Sequence, residues 1–245
     1  MYTFKAEIDY KGFFFINKEI IVDGTWAKLS QSGRAILPVI LKHRNKQGIA
    51  FPSQETIGII SGLSEKAVSC GIKSIKEHTE IEVEEHYNAK GYLKYEYHIP
   101  PSIIGFKKEG RIRISNALFD SGCWRMLSSS GKSLYIVLQT LAKLDIDAED
   151  WEYDNFDEWY PQRKYDIVDF VSKSQLAKLA GISRPTLDQA IASLRITKLL
   201  QDTFTEDNID LSCEQQRIYI VPQFIYPSTQ LNEGIQNPKR KIKKL

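Results

Sequence analysis

Residues 51–75 read FPSQETIGIISGLSEKAVSCGIKSI, and residues 170–194 read FVSKSQLAKLAGISRPTLDQAIASL. In each stretch a serine (Ser53, Ser172) opens an alternating polar and apolar run that stops at a glycine (Gly62, Gly181). A second serine (Ser64, Ser183) restarts the chain just beyond it. Serine accepts from the free N–H groups of a first helical turn, and glycine tolerates the left-handed conformation that ends a helix. The spacing therefore predicts helix, tight turn, helix, written twice.

Upstream lies a second matched pair: WAKLSQSGR at 26–34 and WRMLSSSGK at 124–132. Two matches in the same order mean one supersecondary unit used twice. The offset between copies is 98 residues at the first segment and 119 at the second, so the second copy carries a net insertion of 21 residues. That insertion is the stretch DIDAEDWEYDNFDEWYPQRKYD at 145–166.

Each copy parses alike. A β-like run comes first, at 13–22 and at 111–115. A helix follows, at 31–43 and 129–144, with Ser30 or Ser32 and Ser128 or Ser130 as its cap. Pro38 should kink the first of these helices, because it removes a hydrogen bond. After the two helices of the quoted motif come alternating runs at 81–87 and 92–99 around Asn88-Ala89-Lys90-Gly91, a good hairpin turn. The second copy offers 199–204 and 217–221 around a longer polar loop. Three helices and a hairpin make the winged-helix arrangement. The expected fold is mainly α with small β hairpins (α+β), in two tandem winged helix-turn-helix domains. Domain one is 1–108 and domain two 109–228. A basic tail at 229–245 has the composition of disorder. The boundary falls near PPSIIGFKKEG at 100–110, where Pro and Gly break regular structure.

Bulk properties limit the function classes. The chain has 245 residues, 42% hydrophobic and 26% charged, which is the composition of a globular protein with room for two cores. No window approaches a membrane span, and the N-terminus lacks a signal-peptide core. Cys70, Cys123 and Cys213 match neither a disulfide framework nor a zinc pattern, so a cytoplasmic setting is expected. The net charge of +2 hides a split. Residues 145–166 hold nine acidic side chains against Arg163 and Lys164, and residues 239–245 hold five Lys or Arg.

The third helix of the first copy carries the chemistry. Val68, Ile72 and Ile75 share one face with Gly71, small enough for a close helix crossing. The opposite face presents Lys66, Ser69, Cys70 and Lys73, with Lys76 at its edge. Such a helix can enter the major groove, where base edges are readable. Ser53, Gln54 and Ser64 at helix starts, and Lys90 or Lys94 on the hairpin, can hold the phosphate backbone. The second copy turns Pro185, Asp188, Gln189 and Ala192 outward. Gln189 suits adenine and Arg184 a phosphate or guanine, while Asp188 opposes a backbone. The first unit should dominate affinity.

At these residues the chain resembles the winged helix-turn-helix families of plasmid and phage replication initiators and related bacterial regulators. Residues 51–75 follow their P-S-x-x-x-I/L-A…G-x-S…T-V…I-x-x-L pattern, and the second copy keeps Ser172, Leu176, Ala177, Gly181, Ser183, Thr186 and Leu194. The resemblance implies sequence-specific binding of double-stranded DNA and replication initiation. Two other roles stay open: a transcriptional regulator, or a scaffold for helicase recruitment or chromosome segregation that uses winged helices without base readout. The insertion is no part of the family pattern. Its Trp151, Tyr153, Phe156, Trp159 and Tyr160 fit a protein partner or self-association better than ordinary disorder. Its charge should keep it off DNA. His43, His78, His86 and His98 fit no metal spacing, although His86 and His98 can face each other across the hairpin. No nucleophile–base set, phosphate-binding glycine loop or cofactor motif is present, so neither catalysis nor a cofactor is expected.

Overall fold

The structure, a computed structural model, describes residues 12–87, 93–105, 110–144, 166–201 and 215–220. The first copy runs β1 (Phe13–Asn17), α1 (Glu19–Val22), α2 (Thr25–Lys28), α3 (Gln31–Lys42), β2 (Ile49–Ala50), α4 (Gln54–Ser61), α5 (Glu65–His78), β3 (Glu82–Tyr87) and β4 (Leu93–His98). After α6 (Pro101–Ile104) the second copy runs β5 (Arg111–Ser115), α7 (Ala117–Asp120), α8 (Cys123–Met126), α9 (Ser129–Leu141), β6 (Lys143–Leu144), β7 (Asp166–Ser172), α10 (Lys173–Ala180), α11 (Arg184–Ile196), β8 (Leu200–Gln201) and β9 (Gln215–Ile220). Helices dominate, joined by small antiparallel sheets in the orders β2-β4-β3 and β6-β7-β9-β8. The fold is α+β, and each copy joins a helix-turn-helix to a small antiparallel sheet.

The turn chemistry read from the sequence is in place. Ser53, Ser64, Ser172 and Ser183 each cap a helix by accepting from the N–H three residues on. Gly62 and Gly181 end α4 and α10 with φ of 72° and 60°. Ser30 and Ser128 are the caps of α3 and α9, while Ser32 and Ser130 only bond to those caps.

Three local expectations are corrected. The run at 13–22 is a strand only to Asn17, whose Oδ1 accepts from the N–H of Glu19 and turns the chain into α1. Helix α9 stops at Leu141, because Lys143 and Leu144 pair with Ile167 and Asp166 as strand. The stretch at 100–110 holds the turn α6, with Pro101 at a helix start where its missing N–H costs nothing. Helix α3 continues through Pro38, which is buried.

The copies face each other across an internal two-fold. Strand β1 pairs antiparallel with β5, and Phe15 lies opposite Arg113, its own equivalent at offset 98. The Arg111 guanidinium stacks 4.5 Å over Phe15, and reciprocally Arg113 stacks 4.4 Å over Phe13. Trp26 Nε1 donates to Ser133 Oγ at 3.0 Å, and Trp124 Nε1 donates to the Ala35 carbonyl at 3.0 Å. A Cβ on Gly62 would meet the Arg125 carbonyl at 2.8 Å, and one on Gly181 the Ala27 carbonyl at 2.6 Å. Each helix-turn-helix therefore seats its turn on the second short helix of the other copy. Residue i contacts j while the equivalent of j contacts the equivalent of i, the signature of an isologous interface. One continuous buried core results, with Trp26, Trp124, Leu29, Leu127 and the inner faces of α3 and α9 inside it.

Two buried cations sit at equivalent places in that interface. Arg34 Nη1 donates to the Ala27 carbonyl, and Lys132 Nζ donates to the Leu127 carbonyl. Burial lowers the Arg34 guanidinium to about 10 and the Lys132 ammonium to about 8. Neighbouring Cys123 is buried, and its thiol is pushed up to about 12.

Candidate nucleic-acid interface

Helix α5 is held by its inner face. Val68, Gly71, Ile72, Ser74 and Ile75 are buried, and the crossing with α3 is close. A Cβ on Gly71 would lie 2.7 Å from Ile36 Cδ1 and 3.0 Å from the Ser32 carbonyl carbon. Ser74 Oγ accepts from the N–H of Ser30 at 2.8 Å, and in the second copy Ser193 Oγ accepts from the N–H of Ser128 at 2.9 Å. This serine clasp at offset 119 was readable as an identity between the copies, yet its polar side chain hides it from an apolar-periodicity argument. With the inner face fixed, Lys66, Ser69, Cys70, Lys73 and Lys76 are all exposed on the outer face.

A groove of about 410 Å³ runs between α5 and the hairpin β3–β4, the wing. It is lined by Ser69, Ile72, Lys73, Lys76 and Glu77 from α5, Gln54 from the start of α4, and Glu85 and Tyr95 from the wing. Ser69 Oγ donates to Gln54 Oε1 at 3.1 Å, tying the two helices at the groove floor. Burial, with Glu85 as the next contributor, raises the Tyr95 phenol, so its hydroxyl keeps its proton as a donor. Ser53 and Ser64 hold helix starts, accepting from Thr56 N at 3.0 Å and Ala67 N at 3.4 Å. A second groove of about 810 Å³ meets the first at Gln54, and Arg125 of α8 lines it together with Ser64. Sequence reasoning missed Arg125, because only the two-fold brings the second copy's short helix to the first copy's motif.

The wing sorts its charges by strand alternation. Glu82 and Glu84 lie on the face opposite Glu85, and Glu84 is directly across from Glu96. His86 Nε2 lies 3.1 Å from Glu84 and His98 Nε2 lies 3.3 Å from Glu96, so the two imidazoles flank the carboxylate pair. Glu80 accepts from Ser102 Oγ at 2.6 Å. Of the acids at 80, 82, 84 and 85, Glu85 alone lines the groove facing α5. Lys94 pairs with His86 and belongs to the outer face, away from the α5 lysines. Lys90 lies outside the described residues, as do Trp151, Tyr153, Phe156, Trp159, Tyr160 and the whole 145–165 stretch.

The outer face of the second copy differs. Pro185, Asp188, Gln189 and Ala192 are exposed on α11. Asp188 is paired with Lys173 Nζ at 3.2 Å, which ties up one cation of α10. Arg184 is exposed beside them. Where α5 carries Lys66 and Lys73, α11 carries Pro185 and Ala192, so these two lysines of the α5 outer face have no basic counterpart on α11.

Among the described residues no helix is long and apolar enough to cross a membrane, and no group of three or more His, Cys, Asp or Glu could hold a metal ion. No family model matches the chain, and no curated protein matches it. Among solved structures it is similar to the Pi initiator protein, whose crystal structure is in complex with iteron DNA. The sequence identity is 14% and the TM-score 0.48, with 88% of this chain and 100% of that chain covered.

Proposed function

We propose that this chain binds double-stranded DNA sequence-specifically, with α5 as its dominant reading element, and that it serves replication initiation of a plasmid- or phage-like element. The observation that carries the DNA reading is the outer face of α5. Lys66, Ser69, Lys73 and Lys76 project from a helix whose other side is locked into the core. Exposed lysines give affinity for phosphate or guanine, and a groove floor of Ser69 and Gln54 gives donors and acceptors for base edges. The replication role is supported by the resemblance of residues 51–75 to initiator families. No chemical step is part of this reading.

The test is selection of bound sequences from fragmented source DNA at two salt concentrations. Enrichment of one motif, with affinity falling steeply as salt rises, is expected. Absence of enrichment at either salt would remove sequence-specific DNA binding.

A second reading, an interaction scaffold, draws on Glu77 and Glu85, which bring negative charge into the groove. The acidic, aromatic insertion serves that reading too, as a contact for a protein partner or a second copy. Deleting 147–164 should then change oligomeric state or partner capture while DNA binding persists. Unchanged behaviour in both would return the insertion to a solvated loop.

A further inference from the structure

Glu85 is exposed, so it supports no core, and alternation along β3 turns it into the groove shared with Lys73 and Tyr95. Among the described residues neither Glu85 nor Lys73 makes an ion pair. A groove that merely tracked the phosphate backbone would be weakened by a free carboxylate. The major-groove edge of a G·C pair is different. Guanine presents two acceptors, N7 and O6, and cytosine beside it presents an amino donor, N4. An ammonium and a carboxylate sharing one groove complement that edge. Adenine N7 and N6 also offer an acceptor beside a donor, but G·C alone gives the ammonium two adjacent acceptors as well as a donor for the carboxylate.

We infer that Glu85 is a specificity-determining residue that accepts from cytosine N4 while Lys73 donates to the paired guanine. This rests on the DNA-binding reading and names what its groove selects. The wing thus takes part in base recognition through its inner face, and Glu85 disfavours any register that would put a phosphate in its place.

Three full-length chains decide it: the unaltered protein, Glu85→Gln and Glu85→Ala. Each is taken through selection on random duplex DNA, then titrated on the winning site with every base pair replaced in turn. The unaltered chain should show one cytosine whose replacement weakens binding about tenfold, the range of one good base contact. Glu85→Gln should shift that position toward adenine, because an amide bonds adenine N6 and N7 together. Glu85→Ala should lose preference there and bind unrelated DNA more tightly. Both variants should melt as the unaltered chain does. Cytosine preference retained in both, or one common factor of change across all sequences, would overturn the assignment of Glu85 alone. No binding by the unaltered chain would overturn the DNA reading and this inference with it.

Discussion

Gly71 and Lys132 show how much of this molecule is set by single positions. At Gly71 the α5 backbone comes so near α3 that a methyl group would press on Ile36 and on the Ser32 main chain. Gly71→Ala should therefore destabilise the fold by about 1–3 kcal/mol in urea unfolding, despite the better helix propensity of alanine. Stabilisation instead would mean that the crossing is looser than described. Lys132 is 2% exposed, and burial holds its ammonium at about 8 against an ordinary 10.5. Below pH 8 the folded chain must keep a buried charge that the unfolded chain solvates. Between about 8 and 10.5 the unfolded chain binds the proton more tightly, so this group's penalty is relieved and stability rises with pH. Lys132→Met should be more stable than the unaltered chain by about 1–3 kcal/mol at pH 7, with the gap closing toward pH 10. A variant equally destabilised at both pH values would contradict that. Gly71 was legible in the sequence, because a small residue interrupts an apolar face. Lys132 was not: a lysine after a helix start reads as a surface residue until the second copy covers it.

The elements divide into those that local chemistry dictates and those that depend on a distant partner. Serine caps and left-handed glycines put α4, α5, α10 and α11 where the motif predicts them. Short elements escaped: α1, α2, α7 and α8 are single turns, too short for periodicity to register, and they are held by contacts with the other copy. The outward face of α5 was readable from a helical wheel. The groove was not, because its far wall comes from β3 and β4 and its extension from Arg125 on α8. Arg125 carries an element-level prediction. If α8 completes the first unit's backbone contacts, Arg125→Ala should reduce the slope of log affinity against log salt by about 0.9, one phosphate's share, with the selected motif unchanged. An unchanged slope would confine the interface to α4, α5 and the wing.

At the scale of the whole molecule, the reciprocal contacts of Trp26, Trp124, Gly62 and Gly181 make the two copies one body. A substitution in one copy's core should then be felt by both. Ile36→Ala should lower a single calorimetric transition, whereas two separable transitions would mean that the copies unfold independently. The two-fold also fixes how the reading helices are presented, since α5 and α11 are related by rotation and not by translation. Half-sites about one helical turn apart, ~34 Å, should therefore run in opposite directions. Grafting the first copy's residues onto α11, as Pro185→Lys, Asp188→Ser and Ala192→Lys, should convert the selected site to a near-palindrome. Direct repeats would contradict the symmetry. The duplication was plain in the sequence, but its symmetry was not, because periodicity reveals equivalent segments and says nothing of how they face each other. What remains is the inequality of the copies, on which the whole functional reading turns. Its most direct measurement is an equilibrium titration of the selected duplex with two double variants, Lys66→Ala with Lys73→Ala, and Arg184→Ala with Gln189→Ala. The first pair should weaken binding at least about tenfold more than the second, as expected for two charged contacts against weaker ones. Equal losses from the two pairs would contradict α5 as the dominant reader.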